Sequence, residues 1–163
     1  MELINEIAQN TLTFVKNPFG NYVVQFVLKL QIQETNLVIT RKLMTDLIAF
    51  SKQKFSSNVI EKCLEFNSNE VNYELIDCVL KEKGQFFNLL CDQYGNYVLQ
   101  KCLAVAQEPQ YSQLITIIRP DIVKLSSHSE FSYKIYQRLI KKYPILDVNN
   151  ERVETHGKKQ NKK

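Results

Sequence analysis

The sequence predicts an all-α fold, an α-solenoid in which similar helical units stack in a row. A ten-residue block that opens with an aromatic residue recurs four times in the 163-residue chain, starting at Phe19, Phe55, Tyr94 and Phe131. Apolar residues within each block recur at intervals of three and four, which is the spacing of one buried helical stripe. No segment shows a convincing strand-like alternation. Because a repeat of this length cannot bury its own apolar face, it must stack on its neighbours.

The four blocks share their opening and differ slightly in spacing. They read FGNYVVQFVL, FSSNVIEKCL, YGNYVLQKCL and FSYKIYQRLI, and successive starts lie 36, 39 and 37 residues apart. Each aromatic residue is followed by glycine or serine. The longer second interval predicts an insertion of about three residues at positions 81–85. We interpret this insertion as a surface loop, with a protein contact as the alternative.

The segments between the blocks also have helical patterns. NLVITRKLMTDLIAF and YSQLITIIRPDIVKL each supply two apolar stretches, and in the second we expect a new helix to begin at Pro120. Leu3, Ile39 and Ile115 each lie 16 residues before an aromatic block opener. The chain is therefore expected to start with the last helix of a preceding repeat, which favours an excised piece of a longer protein over a naturally short one.

Composition and charge place the chain among ordinary globular proteins. It is 44% hydrophobic and 23% charged, without the roughly 20-residue apolar run that a membrane span needs and without a signal-peptide pattern. We expect no membrane association and a cytoplasmic location. Of the net charge of +4, +3 lies in residues 151–163, which hold five basic and two acidic residues. We expect a solenoid over residues 1–150 and a basic, disordered tail over residues 151–163.

Cysteine spacing and missing motifs argue against metal binding and catalysis. The four cysteines are 15, 13 and 11 residues apart, with no C-x-x-C pair and no histidine nearby in sequence, so we expect reduced core thiols and no metal site. There is no glycine-rich phosphate loop, no H-E-x-x-H and no persuasive Ser/His/Asp set. We expect no cofactor and no enzyme activity.

Positions three, four and seven of the first three blocks interrupt the apolar pattern with polar and aromatic residues. On a helix these positions share one face, so each repeat is expected to present one exposed triplet. The triplets recur in register and avoid the lysine and arginine typical of a solvated face. Amides and aromatics in this arrangement suit unpaired bases, read at their edges and held by stacking. The triplets are Asn21, Tyr22 and Gln25; Ser57, Asn58 and Glu61; and Asn96, Tyr97 and Gln100.

The second triplet has the sharpest chemistry. A carboxylate such as that of Glu61 can accept two hydrogen bonds from the adjacent N1–H and N2 amine of guanine, whereas the other bases place an acceptor at one of those positions. An Asn/Gln pair suits uracil, whose edge combines one N–H donor with carbonyl acceptors.

These blocks resemble the RNA-binding helices of the Pumilio/PUF family. FGNYVVQ, FSSNVIEKCL and YGNYVLQKCL match its last three repeats in order, and FSYKIYQRLIKKYP resembles the helical cap that follows; the resemblance covers about residues 1–146. It implies a right-handed α-solenoid of three-helix repeats, forming part of a Pumilio-homology domain, that binds single-stranded RNA. The implied site is 5′-UGU-3′ in mRNA 3′ untranslated regions, and the implied outcome is translational repression or mRNA decay.

The resemblance also implies roles for the triplets. The RNA runs antiparallel to the repeats, so the first uracil falls to the third triplet, the guanine to the second and the last uracil to the first. The implied base-reading residues are Asn21, Gln25, Ser57, Glu61, Asn96 and Gln100. The implied stacking residues are Tyr22, Asn58 and Tyr97.

The fourth block departs from this code, with Tyr133, Lys134 and Gln137 at the triplet positions, and we interpret it as the terminal cap. Four lysines are candidates for phosphate contacts, with a solubilising role as the alternative: Lys54, Lys62, Lys101 and Lys134. The resemblance implies partners on the outer, convex face, namely co-repressors or the deadenylation machinery. With three repeats, RNA affinity is expected to be micromolar or weaker.

Two other functions stay open from the sequence alone. One is that of a PUF-like nucleolar protein that binds RNA loosely during ribosome assembly. The other is a protein-binding α-solenoid scaffold without an RNA role.

Overall fold

The computed structural model describes residues 2–148, and this part of the chain folds into eleven α-helices and two short 3₁₀ turns. The 3₁₀ turns are Lys83–Gln85 and Pro144–Leu146. The predicted disordered tail, residues 151–163, lies outside the described residues. The α-helices are α1 (Glu2–Gln9), α2 (Thr11–Phe14), α3 (Gly20–Lys29), α4 (Gln33–Met44), α5 (Leu47–Ser51), α6 (Ser56–Phe66), α7 (Asn69–Lys81), α8 (Phe86–Cys91), α9 (Gly95–Val105), α10 (Gln110–His128) and α11 (Glu130–Lys142).

The helices are organised as three successive three-helix repeats. Each repeat has a short helix, a middle helix and a long helix: α2–α4, α5–α7 and α8–α10. The middle helices α3, α6 and α9 pack side by side in one row, and the long helices α4, α7 and α10 form a second row. Helix α1 packs on α4 as the long helices pack on each other, and α11 closes the other end against α8 and α10. The predicted α-solenoid is confirmed.

The buried residues of the core recur at the same block positions in successive repeats. The sixth position of each block is fully buried, in Val24, Ile60 and Leu99, and the ninth position behaves in the same way with Val27, Cys63 and Cys102. Burying one such aliphatic side chain stabilises the fold by about 1.5–3 kcal/mol. Because equivalent residues of successive repeats lie in one continuous core, the middle helices are held parallel and in register.

The cysteine prediction is half correct. Cys63 and Cys102 are core thiols, and burial raises the pKa of each to about 12. Cys78 and Cys91 are only partly buried, contrary to the expectation that all four lie in the core. Among the described residues, no group of histidine, cysteine, aspartate and glutamate side chains is arranged to hold a metal ion.

The expected helix boundary at Pro120 is wrong. Helix α10 runs without interruption from Gln110 to His128, with Pro120 inside it. The proline and Thr116, whose carbonyl loses its helical hydrogen bond, both face solvent, where water can satisfy that carbonyl. Ile118 and Ile122 are buried on either side of the proline. Packing of one continuous apolar stripe therefore outweighs the local preference of proline for a helix start.

The predicted insertion at residues 81–85 lies on the surface. It forms the end of α7 and the 3₁₀ turn Lys83–Gln85, and its first four residues are exposed. Within residues 2–148, no helix has the length and apolar character needed to cross a bilayer.

Candidate RNA interface

The middle helices begin at a close contact with the short helix before them. A Cβ on Gly20 would lie 2.8 Å from the Phe14 carbonyl oxygen, and one on Gly95 would lie 2.9 Å from a Leu89 methyl. The equivalent residue of the second repeat is Ser56, whose Oγ instead donates to the Phe50 carbonyl at 2.7 Å. A glycine or serine after the aromatic residue thus allows each middle helix, which carries the triplet, to start in close contact with the preceding short helix.

The first turn of α3 is fixed by an asparagine in that loop. The Asn17 Oδ1 accepts hydrogen bonds from the backbone N–H groups of Phe19 and Gly20, both at 2.9 Å. Asp92 makes the same pair of bonds at the start of α9, both at 2.8 Å. These bonds satisfy donors that a helix start leaves unpaired. The first and third triplets therefore start from equivalent local geometries.

Asn21 is buried beneath the loop and orients Gln25. Its side chain is 1% exposed, and its Nδ2 donates to the carbonyl oxygens of Asn17 and Pro18, both at 2.9 Å. Its Oδ1 accepts a hydrogen bond from the Gln25 Nε2 at 3.0 Å. This chain of bonds fixes which way the Gln25 amide points, leaving its Oε1 and one N–H for a ligand.

The third repeat builds the same arrangement. The Asn96 Nδ2 donates to the Asp92 carbonyl at 2.7 Å, and the Asn96 Oδ1 accepts from the Gln100 Nε2 at 3.0 Å. Asn96 and Gln100 are both buried. The expectation that whole triplets are exposed is therefore wrong at these positions. Asn96 lies in the first helical turn, where its amide satisfies a loop carbonyl, and Gln100 is held by its bond to Asn96.

The second repeat replaces this amide pair with Ser57 and Glu61. Ser57 is buried, and its Oγ makes a long 3.4 Å bond to the Lys54 carbonyl. Among the described residues the half-buried Glu61 carboxylate accepts no hydrogen bond, so both oxygens remain available to donors. Burial raises the pKa of the Glu61 carboxyl above its usual value of 4.5, and the nearby charges of Lys101 and Lys62 oppose that rise.

Triplet residues of the first two repeats share one cleft. Its volume is about 220 Å³, and it crosses from α3 to α6 and reaches α9. The cleft brings Gln25 and Glu61, the two seventh-position side chains, into a single surface with two fourth-position side chains. Its lining consists of Tyr22, Gln25, Asn58, Glu61, Lys62, Glu65 and Lys101.

The three predicted stacking residues lie on the surface. The Tyr22 side chain is 68% exposed, and Asn58 is exposed with its Nδ2 donating to the Lys54 carbonyl at 3.0 Å. Tyr97 is 43% exposed, and its hydroxyl accepts a hydrogen bond from the Arg138 Nη1 at 2.9 Å. The Arg138 guanidinium lies 5.3 Å from the centre of the Tyr97 ring. Sequence reasoning missed Arg138, although it holds the eighth block position, as Lys62 does in the second block.

The candidate phosphate-contacting lysines have partners of their own. Lys62 and Lys101 lie 2.7 and 3.6 Å from a Glu65 carboxylate oxygen, and the hydrogen bond from Lys62 is the main cause that lowers the pKa of Glu65. Lys134 pairs with Glu130 on its own helix at 2.8 Å. The Lys54 Nζ lies 5.6 Å from the centre of the Phe55 ring. Of these four lysines, Lys62 and Lys101 line the cleft.

An α-solenoid that places a polar side chain at the same position in each repeat can bind a linear ligand, with one unit of the ligand against each repeat. The family model described as "Pumilio-family RNA binding repeat" matches residues 10–30, 46–80 and 85–119, which is more than half of the chain. The chain belongs to the Pumilio family of RNA-binding repeat proteins. These are binding repeats and not enzymes, in agreement with the expectation of no catalytic activity.

Individual relatives agree with this assignment. A Pumilio domain-containing protein of Schizosaccharomyces pombe is 34% identical over 160 residues, covering 94% of this chain and 23% of that protein. Pumilio homolog 12 of Arabidopsis thaliana is 35% identical over 126 residues, covering 77% of this chain and 21% of that protein. The chain thus spans about a quarter of the length of these relatives.

Solved structures show the same fold. PUF-8 in complex with PBE-RNA superposes with a TM-score of 0.77 at 31% identity, covering 86% of this chain and 41% of that one. The Puf3 RNA binding domain bound to a Cox17 RNA 3′ UTR recognition sequence gives a TM-score of 0.70 at 23% identity, covering 84% of this chain and 38% of that one, which supports the fold alone.

Proposed function

We propose that the chain reads 5′-UGU-3′ in single-stranded RNA, one base for each of the three repeats. The observation that carries this proposal is the change of chemistry along the row of middle helices. The first repeat holds an oriented, partly buried glutamine amide and the third an oriented, buried one, whereas the half-buried carboxylate of the second has no donor among residues 2–148. An order of amide, acid and amide matches uracil, guanine and uracil.

Hydrogen-bonding capacity supports the assignment at the guanine. A carboxylate offers only acceptors, and guanine offers two adjacent donors at N1 and N2. Lys62 and Lys101 keep the Glu61 carboxyl closer to its ionised form, in which both oxygens accept. Guanine specificity at the second repeat is therefore expected to be the strongest of the three.

The glutamines support uracil in a related way. Because the Gln25 Nε2 already donates to Asn21, the amide presents one N–H and the Oε1 side by side in a fixed order. Uracil offers the complementary O4 and N3–H side by side. In this proposal Asn21 and Asn96 act mainly by holding the glutamines, and Tyr22, Asn58 and Tyr97 stack against the bases.

Family membership supports a proposal for the wider role. We propose that the chain acts on mRNA 3′ untranslated regions in the cytoplasm, where it represses translation or promotes decay. Co-repressors or deadenylation factors would bind the outer row of α4, α7 and α10, opposite the triplets.

The test is fluorescence anisotropy with short labelled RNAs at one stated salt concentration. We expect UGU RNA to bind at least tenfold more tightly than UCU RNA, because one bidentate contact contributes about 1–3 kcal/mol of discrimination. The matching DNA is a second control, and the dissociation constant for UGU RNA should be micromolar or weaker. Glu61→Gln should remove the preference for guanine. Glu65→Gln is the matched control, since it makes the same change one helical turn further along the same cleft.

The control separates base reading from simple electrostatics. Equal losses of guanine preference in both variants would contradict the proposal. Equal, salt-sensitive binding to all nucleic acids would favour loose nucleolar binding. An absence of binding at high protein concentration would leave two explanations, too few repeats for stable RNA binding or a protein scaffold.

A further inference from the structure

The shared cleft defines how a base-sized slot is built between neighbouring repeats. Beside Gln25, the cleft is walled by Tyr22 from the same repeat and Asn58 from the next. Both walls come from the fourth block position. A base paired with Gln25 would therefore lie between two successive fourth-position side chains, and its edge would face the amide.

The same construction fails at the third repeat. Beside Gln100, one wall is Tyr97, and the helix that reaches Tyr97 from the other side is α11, through the Arg138–Tyr97 hydrogen bond. The fourth-position residue of α11 is Lys134. Lys134 is engaged on its own helix by Glu130 at 2.8 Å and carries no flat surface. Arg138, one turn further along α11, instead lies over the Tyr97 ring, with its guanidinium carbon 5.3 Å from the ring centre.

We propose that the Arg138 guanidinium is the second wall of the slot for the first uracil, so that this base is held between Tyr97 and Arg138. The inference rests on the proposed function. A guanidinium is planar and stacks on bases and aromatic rings, which an ammonium group does not do. The residues equivalent to Arg138 in the second and third blocks, Lys62 and Lys101, pair with Glu65 instead.

The required movement is small. A base between two planes needs a separation of about 7 Å, twice the roughly 3.4 Å rise of a stacked nucleotide. The present distance is 5.3 Å, and the Arg138 side chain is exposed and free to shift outward. In the unbound protein, the bond from the Arg138 Nη1 to the Tyr97 hydroxyl at 2.9 Å keeps the guanidinium beside the ring.

The test is a double-mutant cycle between Arg138→Lys and an abasic nucleotide at the first uracil of UGU RNA. Arg138→Lys keeps the positive charge and removes the planar guanidinium group. We expect about three- to fivefold weaker binding to UGU RNA, the loss of one cation–aromatic stack, with an unchanged salt dependence. Against the abasic RNA, wild type and variant should bind equally. Arg41→Lys on the outer helix α4 is the control and should match wild type.

Each alternative result has one meaning. Equal losses on the intact and abasic RNAs would identify a phosphate contact and overturn the proposal, as would a variant that binds UGU RNA like wild type. If the wild-type protein does not prefer UGU RNA, both the proposed function and this inference are refuted. If the wild-type protein prefers UGU RNA and Arg138→Lys binds it with the same affinity, only the inference is refuted. An unchanged melting temperature of the variant shows that the fold is intact.

Discussion

The carboxyl of Glu61 is expected to make RNA binding dependent on pH. Burial raises its pKa above 4.5 in the unbound protein, whereas two guanine donors would favour the ionised form and lower that pKa in the complex. A group whose pKa falls on binding contributes its full affinity above the unbound pKa. That contribution is lost as the pH falls through the unbound pKa, so UGU affinity should decrease on acidification, starting at a pH above the ordinary glutamate pKa.

The size of the effect has an upper limit. Below the unbound pKa, each pH unit weakens binding by up to tenfold, since one unit corresponds to about 1.4 kcal/mol. The total cannot exceed the contribution of the bidentate contact, about 1–3 kcal/mol. Because Glu61 is only half-buried and screened by solvent, we expect the lower part of this range, a loss of about five- to thirtyfold.

The assay is anisotropy at constant ionic strength from about pH 8 to about pH 4, a range that reaches the ordinary glutamate pKa and so includes the raised pKa of Glu61. Glu61→Gln should give a flat profile. Glu65→Gln should keep the loss, with its midpoint displaced slightly to lower pH, because the Glu65 charge is one of the causes that raise the pKa of Glu61. Glu65 itself has a lowered pKa through its bond with Lys62, so it loses its charge at a lower pH than Glu61 does.

Two results would refute this reasoning. A decrease in affinity of the same size in Glu61→Gln would assign the titration to another group or to the RNA. A flat profile in the wild-type protein, with guanine preference intact, would mean that Glu61 reads guanine without a change in protonation.

Three further predictions concern the fold. Gly20→Ala should lower the free energy of unfolding in urea by about 1–3 kcal/mol, because its Cβ would meet the Phe14 carbonyl at 2.8 Å. Asp92→Ala should lower it by about 0.5–2 kcal/mol through loss of two bonds at the start of α9, and Asp92→Asn should restore most of it. In the native protein, the buried thiols Cys63 and Cys102, with pKa values of about 12, should resist a thiol reagent at neutral pH and react only in denaturant.

The repeat architecture could be predicted from the sequence because burial follows block position. Val24, Ile60 and Leu99 share one block position, and all three are core residues. The apolar stretches between the blocks predict further helices in each repeat, whereas the number of three helices is implied by the family resemblance. A repeat can be recognised even where single residues deviate from the pattern, because many equivalent contacts determine the position of each helix.

Contacts that join one element to another could not be predicted in the same way. The burial of Asn21 depends on the carbonyls of the preceding loop, which a helical pattern does not reveal. Arg138 lies 41 positions from Tyr97, and only the packing of α11 brings the two together. The uninterrupted helix at Pro120 likewise depends on which side of α10 faces water.

The two ends of the row of middle helices differ, and this difference determines where the RNA site can grow. At the α11 end the Tyr143 hydroxyl donates to the Gln100 carbonyl at 3.1 Å, which closes the row. At the other end Val23 is 41% exposed, whereas its equivalents Val59 and Val98 are 0% and 1% exposed beneath the preceding middle helix. A further repeat stacked on α3 would bury Val23 in the same way. Because the proposed RNA runs antiparallel to the repeats, such a repeat would read the base on the 3′ side of UGU.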